Sequence, residues 1–231
     1  MKSKFLILIF LCSLKSLYAQ EFAVVLDKDG YTNVRSENNK NSKIIDKLHN
    51  GHLICVMSPE GNWWNIDYAL NKNEIKVGYV YRDRIKLISE YNEIPISEEK
   101  DKEIIFSNKA IEVKIVENKF DKNKHSLNYV KNYPNQISKI DGKDYWGTDG
   151  EIPKTEYKSI TIKFNNSTLE LPKDALENLY EPNLSSTKVN FDKVNNTIYI
   201  SAMNSDGAGG YLVIWKIENG KYKKRFVAYG F

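Results

Sequence analysis

The sequence predicts a mainly β protein: a small N-terminal barrel, then a second, mainly antiparallel β domain with one short helix. Three observations lead there. Short runs rich in Val, Ile, Tyr and Phe recur along the chain, separated by turn pairs such as Asn50-Gly51, Asp141-Gly142 and Asn219-Gly220. Apolar and charged residues alternate with the period of a half-buried strand, most plainly where Ile111, Val113 and Ile115 interleave with Glu112 and Lys114. The 15 Tyr and 4 Trp suit pleated surfaces and contact faces. A length of 231 residues accommodates one large β domain or two small ones.

Residues 1–19 read as a signal peptide. Lys2 and Lys4 form a positive start, Phe5 to Leu11 is an apolar run too short for a stable bilayer anchor, and Ala19 precedes a cut ahead of Gln20. Cys12, with Phe10-Leu11 before it and Ser13 after it, fits a lipoprotein signal poorly. The chain is therefore expected to be exported, either periplasmic or secreted, and peripheral at most to a membrane. Lys2, Lys4 and Lys15 supply three of the net +4 charges, so the mature chain carries no basic excess that would argue for a nucleic-acid partner. It also keeps a single cysteine, Cys55, in the apolar run His52 to Met57; an internal disulfide is impossible, and the thiol reads as a small buried hydrophobe.

The first unit, residues 22–88, reads as a series of short strands. Phe22 to Leu26 opens it, and Asp27 to Gly30 turns into Tyr31-Thr32-Asn33-Val34-Arg35. After the polar loop Asn38 to Ser42, Lys43 to Leu48 runs to the Asn50-Gly51 turn; Leu53 to Met57, Trp63 to Tyr68, Ile75 to Val80 and Ile85 to Ile88 follow. Side chains alternate along a strand. With Ile66 inward, Trp64 shares its face, while Trp63 and Asn65 point outward. Trp63 beside Tyr31 and Tyr79 would form an aromatic groove for a peptide or glycan.

The Asn33-Val34-Arg35-Ser36 box, the Ile44-Ile45 strand, the Asn50-Gly51 turn, Gly61-Asn62-Trp63-Trp64-Asn65-Ile66 and Gly78-Tyr79-Val80 follow one another at spacings that resemble the bacterial SH3 domain. The resemblance implies a small SH3-like barrel that contacts cell-wall peptide or glycan, or a protein segment. Tyr81-Arg82-Asp83-Arg84-Ile85 departs from the family's usual approach to the closing strand, which bears on ligand preference rather than on fold.

Residues 89–103, with Pro95 and the charge run Glu98 to Glu103, read as a solvated linker. Residues 104–231 form the second domain. His125 to Asn132 is open between helix and strand, Tyr157 to Phe164 and Thr168 to Leu171 form a hairpin through Asn165-Asn166, and Pro172 to Tyr180 is the expected short helix. Thr197 to Met203, Tyr211 to Ile217 and Tyr222 to Tyr229 close the chain, the last two joined by Asn219-Gly220. Asp206-Gly207-Ala208-Gly209-Gly210-Tyr211, with Trp215, Gly220 and Arg225, is similar to a motif of exported bacterial proteins of no settled activity. Its glycines allow close backbone approach, so Asp206, Gly207, Gly209, Gly210 and Tyr211 are a candidate contact loop. The loop lacks the alternating carboxylates of a calcium site and the Lys-Ser/Thr pair of a phosphate cradle.

No catalytic set emerges. Bacterial SH3 domains often accompany papain-like cell-wall peptidases, but the second region has no Cys and only His125, and Cys55 lies in the binding unit. His49, His52 and His125 lack metal spacing, and neither Ser201 nor Ser205 sits in a nucleophile elbow. The reading is a non-enzymatic exported binding protein without metal or cofactor. Two rivals are an inhibitor or immunity protein, with Asp206 to Tyr211 inserted into an exported hydrolase or toxin, and a hydrolase with a carboxylate pair hidden in residues 104–231.

Overall fold

The structure is a computed structural model and describes residues 20–59, 61–71, 74–165 and 167–230. The signal-peptide reading of residues 1–19 lies outside them. The chain is mainly β, in several antiparallel sheets, as expected.

The N-terminal unit contains β1 (Glu21–Val25), β2 (Tyr31–Arg35), β3 (Ile44–His49), β4 (Leu53–Ser58), β5 (Trp63–Ala69), β6 (Ile75–Tyr81) and β7 (Ile85–Leu87). They form one seven-stranded sheet in the order β3-β2-β6-β5-β4-β1-β7. Its inner face closes on Ala23, Val25, Val34, Leu48, Ile54, Val56, Ile66, Tyr68, Val80 and Ile85, so the sheet curls around a core of its own. The Asn50-Gly51 pair is a corner between strands that are not sheet neighbours. Asn50 locks it: its Oδ1 accepts from the Asp27 backbone N–H at 2.9 Å and its Nδ2 donates to the Asp27 carbonyl at 2.8 Å.

The remaining strands are β8 (Asn92–Glu93), β9 (Ile96–Lys100), β10 (Glu103–Ser107), β11 (Ile111–Lys119), β12 (Leu127–Val130), β13 (Tyr133–Ile140), β14 (Thr155–Phe164), β15 (Ser167–Glu170), β16 (Lys188–Asp192), β17 (Thr197–Asn204), β18 (Tyr211–Glu218) and β19 (Lys221–Tyr229). An outer sheet runs β15-β14-β11-β10-β9, a central sheet runs β19-β18-β17-β16-β8, and β12-β13 is a separate hairpin. The outer sheet buries Ile111, Val113 and Ile115 and leaves Lys114 to pair with Glu103 (2.6 Å) and Glu112 with Lys163 (2.8 Å), as the alternation requires. Asn219 and Gly220 both have positive φ, 52° and 70°, which suits the expected primed hairpin turn.

The central sheet is covered on both faces. Ile198, Ile200, Val213, Trp215 and Ile217 face the outer sheet, whereas Tyr199, Leu212, Ile214, Phe226 and Ala228 face the N-terminal unit and meet Phe22, Val24, Leu53, Cys55 and Ile88. This sandwich explains the unbroken apolar runs Phe22-Ala23-Val24-Val25, Leu53-Ile54-Cys55-Val56 and Tyr211 to Trp215. A strand buried on both faces has no reason to alternate. The contact also fixes Cys55, which is fully buried; burial first, then the charges of Asp67 and Glu21, push its thiol up to about 12, which makes it inert at neutral pH.

Two expectations need correction. Residues 89–103 include no free linker: β8 pairs with β16, β9 pairs with β10, and Ile94 is buried. Every side chain of β9 is exposed, so its charge density signals water on the side chains, while the backbone is spent on a sheet edge. The short helix at 172–180 is a single 3₁₀ turn, Lys173–Ala175, held from outside by Trp215 at the Ala175 carbonyl and, just after it, by Arg225 at the Glu177 carbonyl. The segment left open after His125 is the strand β12.

The contact between the units carries a pH dependence. His52 is half-buried beside Lys224, and burial, followed by that ammonium, pushes its pKa down to about 4. Lys216, on the same face of the central sheet, reaches the Gly51 corner and pairs with Glu218 at 2.9 Å. The folded chain refuses a proton that the unfolded chain accepts near the usual 6.5. Stability is therefore expected to fall as pH drops from 6.5 toward 4, by about 1–2 kcal/mol from this group once solvent screening is discounted. Asp67, pushed up by burial, acts in the opposite direction, so the comparison must isolate His52. Urea unfolding at pH 7 and pH 4.5 should show a smaller loss for His52→Gln than for wild type. Equal losses would remove His52 from the account.

Candidate recognition face of the N-terminal unit

The candidate face is built from the outward residues of β2, β5 and β6; the same side of β5 continues through buried Asp67 to Ala69, which packs in the inter-unit contact. Ile66 and Tyr68 are fully buried and Trp64 packs on the same core, so Trp63 and Asn65 point outward by parity. Antiparallel register sets Trp63 opposite Tyr81 and Asn65 opposite Tyr79, and β2 sets Arg35 opposite Tyr79. The Trp63 and Tyr81 rings meet edge to face at 5.3 Å. The Arg35 guanidinium lies 5.5 Å from the centre of the Trp63 ring and is anchored from behind by donating to the Ser42 carbonyl at 2.6 Å. Asn65 Nδ2 reaches the Gly78 carbonyl at 3.4 Å.

Three of the four expected binding residues, Trp63, Asn65 and Tyr79, thus fall on adjoining strands. Tyr31 shares the outward parity of β2 but belongs to its other end: Lys47 Nζ sits 3.4 Å from its ring centre and His49 lies beside it at 6.4 Å. Its place against Trp63 is taken by Tyr81. Tyr81 and Arg35 are not among the expected site residues, although the parity that turns Tyr79 and Asn33 outward applies equally to them. Exposed Val77, Ile44 and Ile45 extend the unit's apolar surface; Ile44 is register partner to Arg35.

Two carboxylates stiffen the unit away from this face. Asp27 accepts from the Asp29 backbone N–H (2.7 Å) and from Arg84 (2.5 Å), and these outweigh the burial that would raise its pKa, leaving it below the ordinary carboxylate value. Asp46 is lowered chiefly by the Tyr68 hydroxyl at 2.6 Å, with Lys76 at 3.2 Å adding to it.

The Asp206 to Tyr211 segment has a different role from the one its glycines suggested. Asp206 and Gly207 are exposed at the tip, but Gly210 is buried and Tyr211 is fully enclosed, its hydroxyl donating to the Tyr180 carbonyl at 2.9 Å. A Cβ on Gly209 would come within 2.9 Å of Thr148 Cα, and Ser205 Oγ donates to the Gly147 carbonyl at 2.6 Å. The close approach is to the chain's own backbone. The rest of the motif is structural too: Trp215 Nε1 donates to the Ala175 carbonyl at 2.7 Å, and Arg225, its register partner, donates to the Glu177 carbonyl at 2.8 Å. Tyr211 and Gly210 cannot reach a partner in this arrangement.

His125 is likewise engaged internally. It stacks on Phe120 at 4.5 Å and lies between Asp141 (2.8 Å) and Glu156 (3.2 Å), tying the β12-β13 hairpin to β14. Among the described residues, no three His, Cys, Asp or Glu side chains converge as a metal-ligating group. No protein family, curated protein or solved structure matches the chain.

Proposed function

We propose that this chain is an exported, non-enzymatic binding protein whose N-terminal unit, read as a bacterial SH3 domain, holds cell-wall peptide or glycan, or a protein segment, against Trp63. The observation that supports it most is half-buried Trp63 set against Tyr81 and an anchored Arg35, at the opposite end of β5 from Ala69, which packs against the central sheet. An indole flanked by a phenol and a guanidinium offers a plate for a sugar ring or a peptide plane, with Arg35 and Asn65 as polar contacts at its edge. The enclosed Cys55 and the internally held His125 support binding over nucleophilic chemistry.

Co-sedimentation with purified peptidoglycan tests this reading. Wild type should co-sediment, and Trp63→Ala should lose at least about tenfold in affinity, the scale of an aromatic hot spot. A wild-type protein that stays in solution with every wall preparation would sink the wall-ligand version. Equal binding by the variant would place the site elsewhere.

A further inference from the structure

We propose a second ligand site, independent of the N-terminal face: the cleft at the tip of the β12-β13 hairpin binds an uncharged sugar ring. The cleft has a volume of about 290 Å³ and lies between Asn132, Tyr133, Asn135 and Gln136 of the hairpin and Asp149 and Glu151 of the following loop. That size is at the lower end of ligand pockets, roughly 300 Å³ and above, and suits one or two rings.

The side chains around it are uncommitted. Among the described residues, none of these six side chains takes part in an intramolecular hydrogen bond or ion pair, although their neighbours do. Ser138 Oγ donates to the Asn128 carbonyl (3.2 Å), Lys139 pairs with Asp144 (3.6 Å), and Thr148 Oγ1 donates to the Glu151 carbonyl (2.6 Å). Tyr133 is 64% exposed, an aromatic ring presented to solvent at the strand start.

The cleft is also held from behind. The Ile137 backbone N–H donates to the Gly150 carbonyl at 2.7 Å, and Gln136 lies so close over Gly150 that a Cβ there would come within 2.4 Å of Gln136 Cγ. Ile137 and Ile140 fasten the hairpin to Tyr180, with Phe120, Leu127 and Tyr145 packed around them. The backbone that frames the cleft is therefore held in place before a ligand arrives.

Its chemistry selects among ligands. A pyranose has an apolar C–H face that stacks on an aromatic ring, and hydroxyls that both donate and accept. The three amides offer donors and acceptors, and the two carboxylates accept from hydroxyls. Anionic ligands are disfavoured, because the lining holds two acidic side chains and no cation. An apolar chain would leave the polar walls unsatisfied. A simple amine would use the carboxylates and leave the amides and the ring idle.

The test is a titration of isotope-labelled residues 20–231 with glucose, galactose, mannose, N-acetylglucosamine and their β-linked disaccharides, read by NMR at the side-chain amides of Asn132, Asn135 and Gln136. At least one sugar should shift these signals saturably, with a millimolar Kd (about −4 kcal/mol). Tyr133→Ala should weaken it about tenfold or more, Tyr133→Phe should retain it, and Trp63→Ala should leave it unchanged. Absence of a saturable shift up to about 100 mM sugar would overturn the proposal. So would shifts indifferent to Tyr133→Ala, or tighter binding of methylammonium than of any sugar.

Discussion

Replacing Trp215 by alanine is expected to destabilise the protein by about 4 kcal/mol, the scale of a buried Trp truncated in a core that cannot collapse. Trp215 is fully buried between the central and outer sheets. It meets Tyr157 edge to face at 5.4 Å, and its indole N–H holds the Ala175 carbonyl at 2.7 Å. The variant loses the apolar burial, an aromatic pair worth about 1 kcal/mol and one hydrogen bond worth a similar amount. Arg225 also donates to the Ala175 carbonyl, at 3.2 Å, so that oxygen keeps a partner. The measurement is chemical or thermal unfolding, with a fall in Tm of roughly 10 °C. A change under about 1 kcal/mol, the level of ordinary surface substitutions, would mean that Trp215 is not enclosed as described.

Gly147→Ala should be comparably damaging for a different reason. Gly147 has φ of +118°, a conformation closed to residues with a side chain, and a Cβ there would lie 2.3 Å from the Tyr180 carbonyl oxygen. Backbone strain and the steric clash each cost about 1–3 kcal/mol, giving a loss of several kcal/mol if the segments stay together. The informative control is Gly61→Ala. Gly61 also has positive φ, +59°, but a Cβ there meets nothing within 4 Å, so it should cost only about 1–2 kcal/mol. Equal unfolding midpoints for the two variants would show that the contact between Gly147 and Tyr180 does not matter.

These residues mark where the sequence is legible. Local chemistry is read directly: Asn219-Gly220 builds its hairpin, Ile111, Val113 and Ile115 turn inward together, and Ile66 places Trp63 outward. What depends on distant partners is not. The runs at β1, β4 and β18 announce burial on both faces, but not that one face of each belongs to the other unit. The charges of β9 describe its side chains and hide a backbone paired with β10. The glycines at 207, 209 and 210 announce close approach without naming what approaches; the neighbour of Gly209 is the Gly147-Thr148 backbone. Tyr31 and Trp63 both face outward, but parity assigns a face and leaves position along the strand to register. Register instead brings Tyr81 to Trp63.

The Trp63 face is the proposed recognition surface of this chain. Hydrogen–deuterium exchange of residues 20–231, with and without solubilised peptidoglycan fragments, tests it most directly. Added fragments should slow exchange at residues 31–35, 63–67 and 77–81 and leave β14 and the inter-unit strands unchanged. Protection confined to other segments, or none at saturating fragment, would contradict it.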